Sequence, residues 1–436
     1  MNVVLISTYE LGHQPFGLAS PKAWLVRAGH DVRSVDLAAE PLPEPDIQQA
    51  DLIAFYLPMH TATRLALPVI ERVRRLNPQA RLAAYGLYAP LNAELLRSIG
   101  VEAIAGGEFE SALVKLARGE TVADISLDRL EFVTPDRRDL GTNYAQLHQG
   151  GETKQIAYTE ASRGCKHLCR HCPIVPVYGG QFRVVQREVV LADIRQQVAT
   201  GARHVTFGDP DFFNGPAHAV RIVEALHAEF PEITYDATIK IEHLLKHRDL
   251  LATLRDTGCL FVTSAVESVD DAVLEKLEKN HTRADFVEAV ELTRRAGLTL
   301  QPTFIAFTPW TTVDGYRELL SVLRDLDLVE NVAPVQLALR LLVTTNSRLL
   351  DLADVQTSIG PFDSKSLVYP WTHPDPEVDL LAHRVFRLVR GDQGQERDRS
   401  RSEIFSDICS LAGLRLENFD LTPRAAIPYL DEPWYC

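Results

Sequence analysis

Short apolar runs alternate with helical patterns along most of this chain, in two series that a polar stretch separates. The first series has five strand-like runs, from residues 3–7 to residues 101–105, and the second has six, from residues 155–159 to residues 335–343. Strands that alternate with helices indicate parallel sheets covered on both faces. We therefore predict an α/β protein, in which a Rossmann-like, doubly wound sheet is followed by a partial (β/α)6 TIM barrel.

The same patterns divide the chain into four parts. Residues 1–120 form the first sheet, 121–152 a polar linker, 153–345 the barrel, and 346–436 a mixed C-terminal extension. Ligands of both kinds of sheet lie at the carboxyl ends of the strands. Functional residues are therefore expected just after each predicted strand.

The composition is that of a globular protein with sizeable cores, at 46% hydrophobic and 24% charged residues. The net charge of −14 disfavours a nucleic acid partner, because an acidic surface repels phosphate backbones. No apolar run approaches the ~18 residues of a membrane span, and the N-terminus lacks the basic region of a signal peptide. Six cysteines in a long chain, three of them clustered, favour the reducing cytoplasm.

Three cysteines, Cys165, Cys169 and Cys172, follow the first predicted barrel strand with the spacing CxxxCxxC. Three thiolates on one short loop can hold a [4Fe–4S] cluster and leave one iron without a protein ligand. A small molecule with an amine and a carboxylate can chelate that iron. The alternative is zinc, with His167 or His171 as a fourth ligand. A second pair of ligands, which structural zinc sites usually have, is absent from the motif.

The cysteine motif and its flanks, Arg163-Gly164 before and Pro173 after, resemble the signature of the radical S-adenosylmethionine (SAM) family. One departure is His171, where that family more often has Phe or Tyr. The resemblance implies reductive cleavage of SAM to a 5′-deoxyadenosyl radical. It also implies a small-molecule substrate and an electron donor such as flavodoxin or ferredoxin.

Two strand ends in the barrel resemble segments that contact SAM in this family. Gly208-Asp209 follows the second strand, and its carboxylate suits the SAM ammonium group. Glu267-Ser268 ends the fourth strand, although a solvated acid at a helix start is an equal alternative. Other polar residues near strand ends could face a substrate or pair with one another: Lys240, Glu242, Gln301, Thr303 and Arg340.

The order of elements in the first domain resembles the cobalamin-binding domain that precedes the barrel in one large radical SAM family. Three loops carry this resemblance, at residues 57–63, 85–88 and 106–110, where glycines would let the backbone approach a corrin closely. The Asp-x-His-x-x-Gly motif that supplies a histidine to cobalt is absent, and His13 does not match it. A similar sheet without a ligand is the alternative. The resemblance implies cobalamin contacts by Leu57, Thr61, Gly86, Leu87, Gly107 and Glu108.

The C-terminal extension contains a charged link at residues 392–401, which predicts a solvated loop. Its last residues, Trp434-Tyr435-Cys436, resemble a subfamily whose tail continues with Cys or selenocysteine and then Ala-Glu-Pro. A selenocysteine codon read as a stop would leave the sequence ending at Cys436. An ordinary frayed end is the alternative.

Together these features predict a radical SAM enzyme that performs cobalamin-linked methylation of an unactivated carbon. A second interpretation keeps SAM cleavage without cobalamin, for a rearrangement or for transfer of the aminocarboxypropyl group to a soft acceptor. The non-enzyme alternative is a regulator that binds a metal or a corrinoid. Methylthio transfer is disfavoured, because it requires further cluster cysteines and none precedes Cys165.

Overall fold

The computed structural model describes residues 1–391, 399–415 and 421–432. Most of the predicted charged link and the tail ending at Cys436 lie outside the described residues. Within the described part, no helix combines the length and the apolar character that a membrane crossing requires.

The first domain is built on a six-stranded sheet in which all neighbouring strands are parallel, in the order β2-β1-β3-β4-β5-β6. Strands such as β3 are buried at every position, as expected for a sheet covered by helices on both faces. The strands are β1 Asn2–Ser7, β2 Asp31–Asp36, β3 Leu52–Tyr56, β4 Arg81–Tyr85, β5 Ala103–Gly107 and β6 Ile125–Ser126. The helices are α1 Phe16–Arg27, α2 Glu44–Gln49, α3 His60–Leu76, α4 Tyr88–Leu91, α5 Ala93–Ser98 and α6 Glu110–Ala117.

The second domain contains a curled seven-stranded sheet, in the order β14-β13-β12-β11-β8-β7-β15, and a separate two-stranded hairpin of β9 and β10. Five strands, β8 and β11 to β14, are parallel, while β7 and β15 form an antiparallel edge. The strands are β7 Gln146–Gln149, β8 Glu152–Thr159, β9 Ser162–Gly164, β10 Phe182–Val184, β11 His204–Phe207, β12 Thr234–Thr238, β13 Cys259–Glu267, β14 Thr299–Phe304 and β15 Tyr429–Leu430.

Helices cover the outer face of this sheet and continue into the C-terminal extension. They are α7 Val175–Tyr178, α8 Arg187–Ala199, α9 Pro216–Glu229, α10 Ile241–Lys246, α11 Leu251–Asp256, α12 Asp271–Lys276, α13 Arg283–Ala296, α14 Val313–Asp325, α15 Ala353–Ser358, α16 Pro376–Arg390 and α17 Arg401–Leu411. Short 3₁₀ helices occupy Phe212–Asn214, Arg248–Leu250, Val329–Asn331, Pro334–Leu337, Arg348–Asp351 and Arg424–Ala426.

The fold class is confirmed, but the sixth parallel strand predicted for the barrel is wrong. Its residues form the 3₁₀ helix Pro334–Leu337 and a single parallel bridge between Phe307 and Arg340. The side-chain oxygen of Gln336 accepts a hydrogen bond from the Phe304 backbone N–H at 3.0 Å. This side chain therefore takes the place of a neighbouring strand, which apolar periodicity cannot reveal.

The residues predicted as a linker contribute one strand to each sheet, β6 to the first and β7 to the second. Strand β7 in turn pairs with β15 from the C-terminal extension. Leu430 of β15 packs beside a buried cluster that includes Leu147, Ile156 and Phe261. The extension thereby covers the open side of the half-barrel.

Candidate active site

The three motif cysteines lie on one loop between β9 and β10, which pair as an antiparallel hairpin at its base. Gly164, at the end of β9, has a φ of 74°. A Cβ atom on this glycine would lie 2.4 Å from Tyr178 Cδ1 and 2.6 Å from the Gln181 carbonyl oxygen. The loop therefore starts at a position that only glycine fits without displacing its neighbours.

Hydrogen bonds from the barrel fix the backbone of this cluster loop, residues 165–172. The Asn214 side chain accepts from the Lys166 N–H at 3.2 Å and donates to the Gly164 carbonyl at 3.3 Å. The backbone N–H of Arg170 donates to the Leu277 carbonyl at 3.0 Å. The loop is thus positioned by residues far from it in the sequence.

Two buried lysines lie beside the cysteines. Lys240 Nζ is 3.8 Å from Cys169 Sγ. Burial lowers the pKa of Lys279, but the Glu267 carboxylate and then the thiols of Cys169 and Cys172 raise it above its usual value. Cations in these positions favour thiolates over thiols.

The cysteines are free, and burial raises the pKa of Cys165 and brings that of Cys172 to about 12. A metal must therefore displace protons from these thiols when it binds. A loop with three free sulfur ligands and two adjacent cations fits the chemistry of an iron–sulfur cluster.

Glu267 connects the cluster loop to the end of β13. Its carboxylate accepts from His171 Nε2 at 3.1 Å and from Lys279 Nζ at 3.3 Å. Although burial opposes it, Lys279 and then His171 lower the pKa of Glu267 to about 2. The residue also has a φ of 69°, a strained value for a non-glycine residue. His171, the departure from the family pattern, thus has a partner in the barrel.

The other residues predicted to contact SAM lie at the same edge of the sheet. Asp209 accepts from Ser162 Oγ at 2.5 Å and from the Ala161 N–H at 2.8 Å, and its burial raises its pKa to about 7. Ser268 Oγ accepts from the Asp270 N–H at 3.1 Å. A Cβ on Gly208 would lie 2.1 Å from Tyr158 Oη. Asp209 therefore positions the strand before the cluster loop, and SAM contact by these residues stays a prediction.

A second set of metal-binding groups lies beside the cluster loop. Single ligand atoms of Cys165, His167 and Asp211 lie within 4.8 Å of one another. His167 Nε2 is 3.6 Å from Asp211 and 3.3 Å from His243 Nε2. The alternative site for a single metal ion such as zinc thus has its own set of donors. This set contains one cysteine sulfur, whereas the cluster site contains three.

The residues predicted to contact cobalamin are divided among three environments. Thr61 lines a cavity of about 640 Å³ between the two domains. Gly86, Leu87 and Gly107 line a smaller cavity of about 220 Å³. Leu57 and Glu108 are buried completely. Gly107, with a φ of 71°, is explained by packing, because a Cβ there would lie 2.2 Å from the Ser126 carbonyl oxygen.

Glu108 belongs to an ion cluster around Arg163, the residue that begins the cysteine motif. Arg163 Nη2 is 2.6 Å from Glu110, its Nε is 2.6 Å from Glu160, and its Nη1 is 3.4 Å from Glu108. Burial raises the pKa of Glu108 to about 7 although Arg163 opposes this. The guanidinium also lies 4.8 Å from the centre of the Phe109 ring. This cluster joins the first sheet to the cluster loop.

Aromatic rings fill the carboxyl edge of the first sheet. The rings of Tyr56 and Tyr85 lie 5.3 Å apart, and those of Tyr85 and Phe109 lie 5.1 Å apart. A Cβ on Gly17 of α1 would lie 2.1 Å from the Tyr56 ring. Ligands of doubly wound sheets commonly enter at the switch point between β1 and β3. Here the rings close that crevice.

The larger cavity lies between the two domains and has the size of a ligand site. Its walls come mainly from four parts of the chain: the first-sheet loops with His60 and Tyr88, the cluster loop with His171, residues 338–342, and α16 with Phe386. Its volume is within the range of about 300–1,000 Å³ typical of ligand sites. The walls are mainly apolar and contain a histidine on the first-sheet side, which fits the face of a corrinoid.

The remaining polar candidates mainly have structural partners. Arg340 Nη1 is 2.7 Å from Asp379, and its guanidinium lies 3.9 Å from the centre of the Trp371 ring. Gln301 donates to the Pro428 carbonyl at 2.7 Å. Lys240 lies 3.8 Å from Glu242, and Thr303 lines a small cavity of about 70 Å³. Sequence reasoning did not single out Glu160, which belongs to no motif, or His60, although it lies in the loop at residues 57–63.

Parts of the sequence and most of the fold are similar to those of known proteins. Residues 159–320 match the model of the Radical SAM superfamily. The hopanoid C-3 methylase of Methylococcus capsulatus is 26% identical over 71% of this chain and 63% of its own length. The ribosomal protein uS12 methylthiotransferase RimO of Parabacteroides distasonis is 25% identical over 43% of this chain and 46% of its own length. The chain thus spans less than two thirds of these relatives.

Solved structures match over nearly the whole chain. The cobalamin-dependent SAM radical enzyme OxsB, with aqua-cobalamin bound, has a TM-score of 0.67 at 13% identity, over 95% of this chain and 71% of its own. The radical SAM methyltransferase TsrM from Kitasatospora setae, with tryptophan and a SAM analogue bound, has a TM-score of 0.66 at 15% identity, over 95% of both chains. The chain therefore carries a radical SAM domain and has, over nearly all its length, the fold of the cobalamin-dependent radical SAM enzymes.

Proposed function

We propose that this protein is a radical SAM methyltransferase that acts on an unactivated carbon of a small molecule. It binds a [4Fe–4S] cluster at Cys165, Cys169 and Cys172, SAM beside that cluster, and cobalamin in the larger cavity. The observation that carries the proposal is the position of this cavity. It is bordered by the cluster loop on one side and by the loops of the first sheet on the other.

The cofactors supply the reactive chemistry: the reduced cluster cleaves SAM to a 5′-deoxyadenosyl radical, and cobalamin carries the methyl group. The residues of this chain bind and orient. Asn214 and Glu267 fix the cluster loop, and Lys240 and Lys279 favour its thiolates. The apolar walls of the larger cavity exclude water from the reacting groups.

The names of two relatives support methyl transfer, since one is a methylase and the other a methyltransferase. Methylthiotransferases are also similar, over 43% of the chain in the case of RimO. No cysteine precedes Cys165 to bind a further cluster in the first domain. This favours methylation over methylthio transfer.

The substrate and the reductant belong to the same proposal. The substrate would reach the cofactors through the larger cavity, whose volume of about 640 Å³ favours a small molecule over a macromolecule. A flavodoxin or a ferredoxin would supply the electron, in the reducing cytoplasm that free cysteines favour.

Anaerobic reconstitution tests the proposal. The protein should take up iron and sulfide and, with SAM and dithionite, release 5′-deoxyadenosine, and it should retain added hydroxocobalamin through gel filtration. Cys172→Ala should lose both the cluster and SAM cleavage. Cys259→Ala, a buried cysteine whose Sγ lies 3.4 Å from the Phe261 carbonyl oxygen, is the matched control and should keep both. Protein that takes up a single zinc ion and no iron would contradict the proposal.

A further inference from the structure

We propose that His60 is the protein ligand to cobalt, bound through Nδ1 on the face of the corrinoid that lies toward the first sheet. This proposal rests on the proposed function and specifies how the cofactor is held. The usual histidine motif is absent from the sequence, so a histidine ligand would come from another position.

The place of His60 in the fold suits this role. It is the first residue of α3 and follows the carboxyl end of β3, the edge where doubly wound sheets bind ligands. Its side chain lines the larger cavity, on the side formed by the first domain. A flat ligand in this cavity would therefore have the imidazole against the face that lies toward the first sheet.

The hydrogen bond of the imidazole determines which nitrogen can bind a metal. His60 Nε2 lies 2.7 Å from the Ser366 carbonyl oxygen. Because a carbonyl only accepts hydrogen bonds, Nε2 carries the hydrogen and Nδ1 keeps its lone pair. Metal-binding histidines commonly donate their other ring N–H to a backbone carbonyl, which fixes the tautomer and the orientation of the ring. His60 has this arrangement already.

Neighbouring residues fix the ring further. Tyr88 packs edge-on against it, with ring centroids 6.3 Å apart at an angle of 72°. Ser366 lies in a turn closed by the bridge between Asp363 and Val368, and its Oγ donates to Asp363 at 2.5 Å. Burial lowers the pKa of His60, which favours the neutral imidazole that metals bind. The C-terminal extension thus orients a ligand of the first domain.

Other histidines are less suitable. His171 lines the same cavity and its Nε2 is 3.1 Å from Glu267, but it lies on the cluster-loop side and not on the first-sheet side. His383 also lines the cavity, from an exposed position on α16. His13, considered from the sequence, has its Nε2 2.9 Å from Glu432 and its ring 4.8 Å from that of Tyr158. Of these four, His60 alone lies on the first-sheet side of the cavity with its hydrogen fixed on Nε2.

The test uses cobinamide, a corrinoid without a nucleotide base, so that a nitrogen ligand to cobalt can come only from the protein. Full-length protein with cobinamide bound is reduced to the cobalt(II) state and examined by electron paramagnetic resonance. We expect nitrogen splitting of the cobalt signal in the wild type, and its loss in His60→Gln. His148→Gln, on β7 and outside this cavity, is the matched control and should retain the splitting.

A second measurement does not depend on any variant. Wild-type protein labelled with ¹⁵N-histidine should show the splitting of the ¹⁵N nucleus, whether or not His60→Gln folds or retains the corrinoid. Retained cobinamide without nitrogen splitting in the wild type would overturn this proposal and leave the proposed function intact. Splitting that persists in His60→Gln would also overturn it. If neither cobinamide nor cobalamin is retained, the cobalamin part of the proposed function fails as well.

Discussion

The carboxyl edges of the two sheets face a common region, but they are built in opposite ways. At the edge of the barrel, polar side chains such as Asp209 and Glu267 hold the loop that carries the three clustered cysteines. At the edge of the first sheet, the rings of Tyr56, Tyr85 and Phe109 close the crevice where a ligand would enter. The edge of the barrel thus has a candidate site of its own, whereas at the edge of the first sheet only the loops are open to a ligand. A ligand of the first domain must therefore lie between the domains.

The residue that connects the two edges gives the largest expected effect. Arg163→Gln would leave Glu108, Glu110 and Glu160 buried without their cation. Loss of one partner from a buried ion cluster costs about 3–5 kcal/mol. We expect a fall of this size in the free energy of unfolding, measured with urea.

The control for this variant is Arg195→Gln, which removes an exposed pair with Glu229 at 2.6 Å. Such a pair contributes less than about 1 kcal/mol. Equal effects of the two substitutions would show that the Arg163 cluster does not join the domains energetically.

Gly164 tests whether the start of the cluster loop is as constrained as its geometry indicates. Gly164→Ala introduces a positive φ for alanine, which costs roughly 1–2 kcal/mol, and a clash with Tyr178. We expect a larger loss of stability than this and a lower iron content after reconstitution. Gly179 has a φ of 54°, and no atom lies within 4 Å of an added Cβ. Gly179→Ala should therefore lower the free energy of unfolding only by the cost of a positive φ. A normal iron content in Gly164→Ala would contradict the interpretation.

Asp209 predicts a pH dependence of stability at the barrel edge. Burial raises its pKa from 3.8 to about 7 in the folded state, so the folded protein binds this proton more tightly than the unfolded chain. Its contribution is complete below about pH 4 and is lost as the pH rises through about 7, by at most roughly 1.4 kcal/mol per pH unit. Wild-type protein should therefore lose stability relative to Asp209→Asn as the pH rises from about 4 to about 7. The free energies of unfolding of the two proteins, measured with urea, would change in parallel with pH if Asp209 were ionised over the whole range.

The closed crevice predicts the smallest effect. Cobalamin and cobinamide should bind with nearly the same affinity. The smaller cavity, lined by Glu10 and Glu160, offers little room for the phosphate-bearing nucleotide tail of cobalamin. Cobinamide, which lacks this tail, should bind within about tenfold of cobalamin, or about 1.4 kcal/mol. A much tighter binding of cobalamin in an absorbance titration would show that the first sheet opens to receive the tail.

Local patterns in the sequence were sufficient for most of the fold. The strands and helices follow from apolar periodicity, and the cysteine spacing predicted the cluster loop. The pattern failed at residues 335–343, where Gln336 replaces a strand with one side-chain hydrogen bond. Periodicity reports which residues are apolar, and it carries no information about which backbone group a polar side chain will satisfy.

The sequence by itself determined most of the elements, their alternation and the grouping of three cysteines on one loop, because these depend on residues close together in the chain. Only the tertiary structure decided which distant side chains meet: His171 with Glu267, Ser162 with Asp209, and His60 with the Ser366 carbonyl. These contacts span from 47 to 306 positions in the sequence. They form because buried polar groups must find partners, and the folded chain, rather than any local motif, determines which partners are within reach.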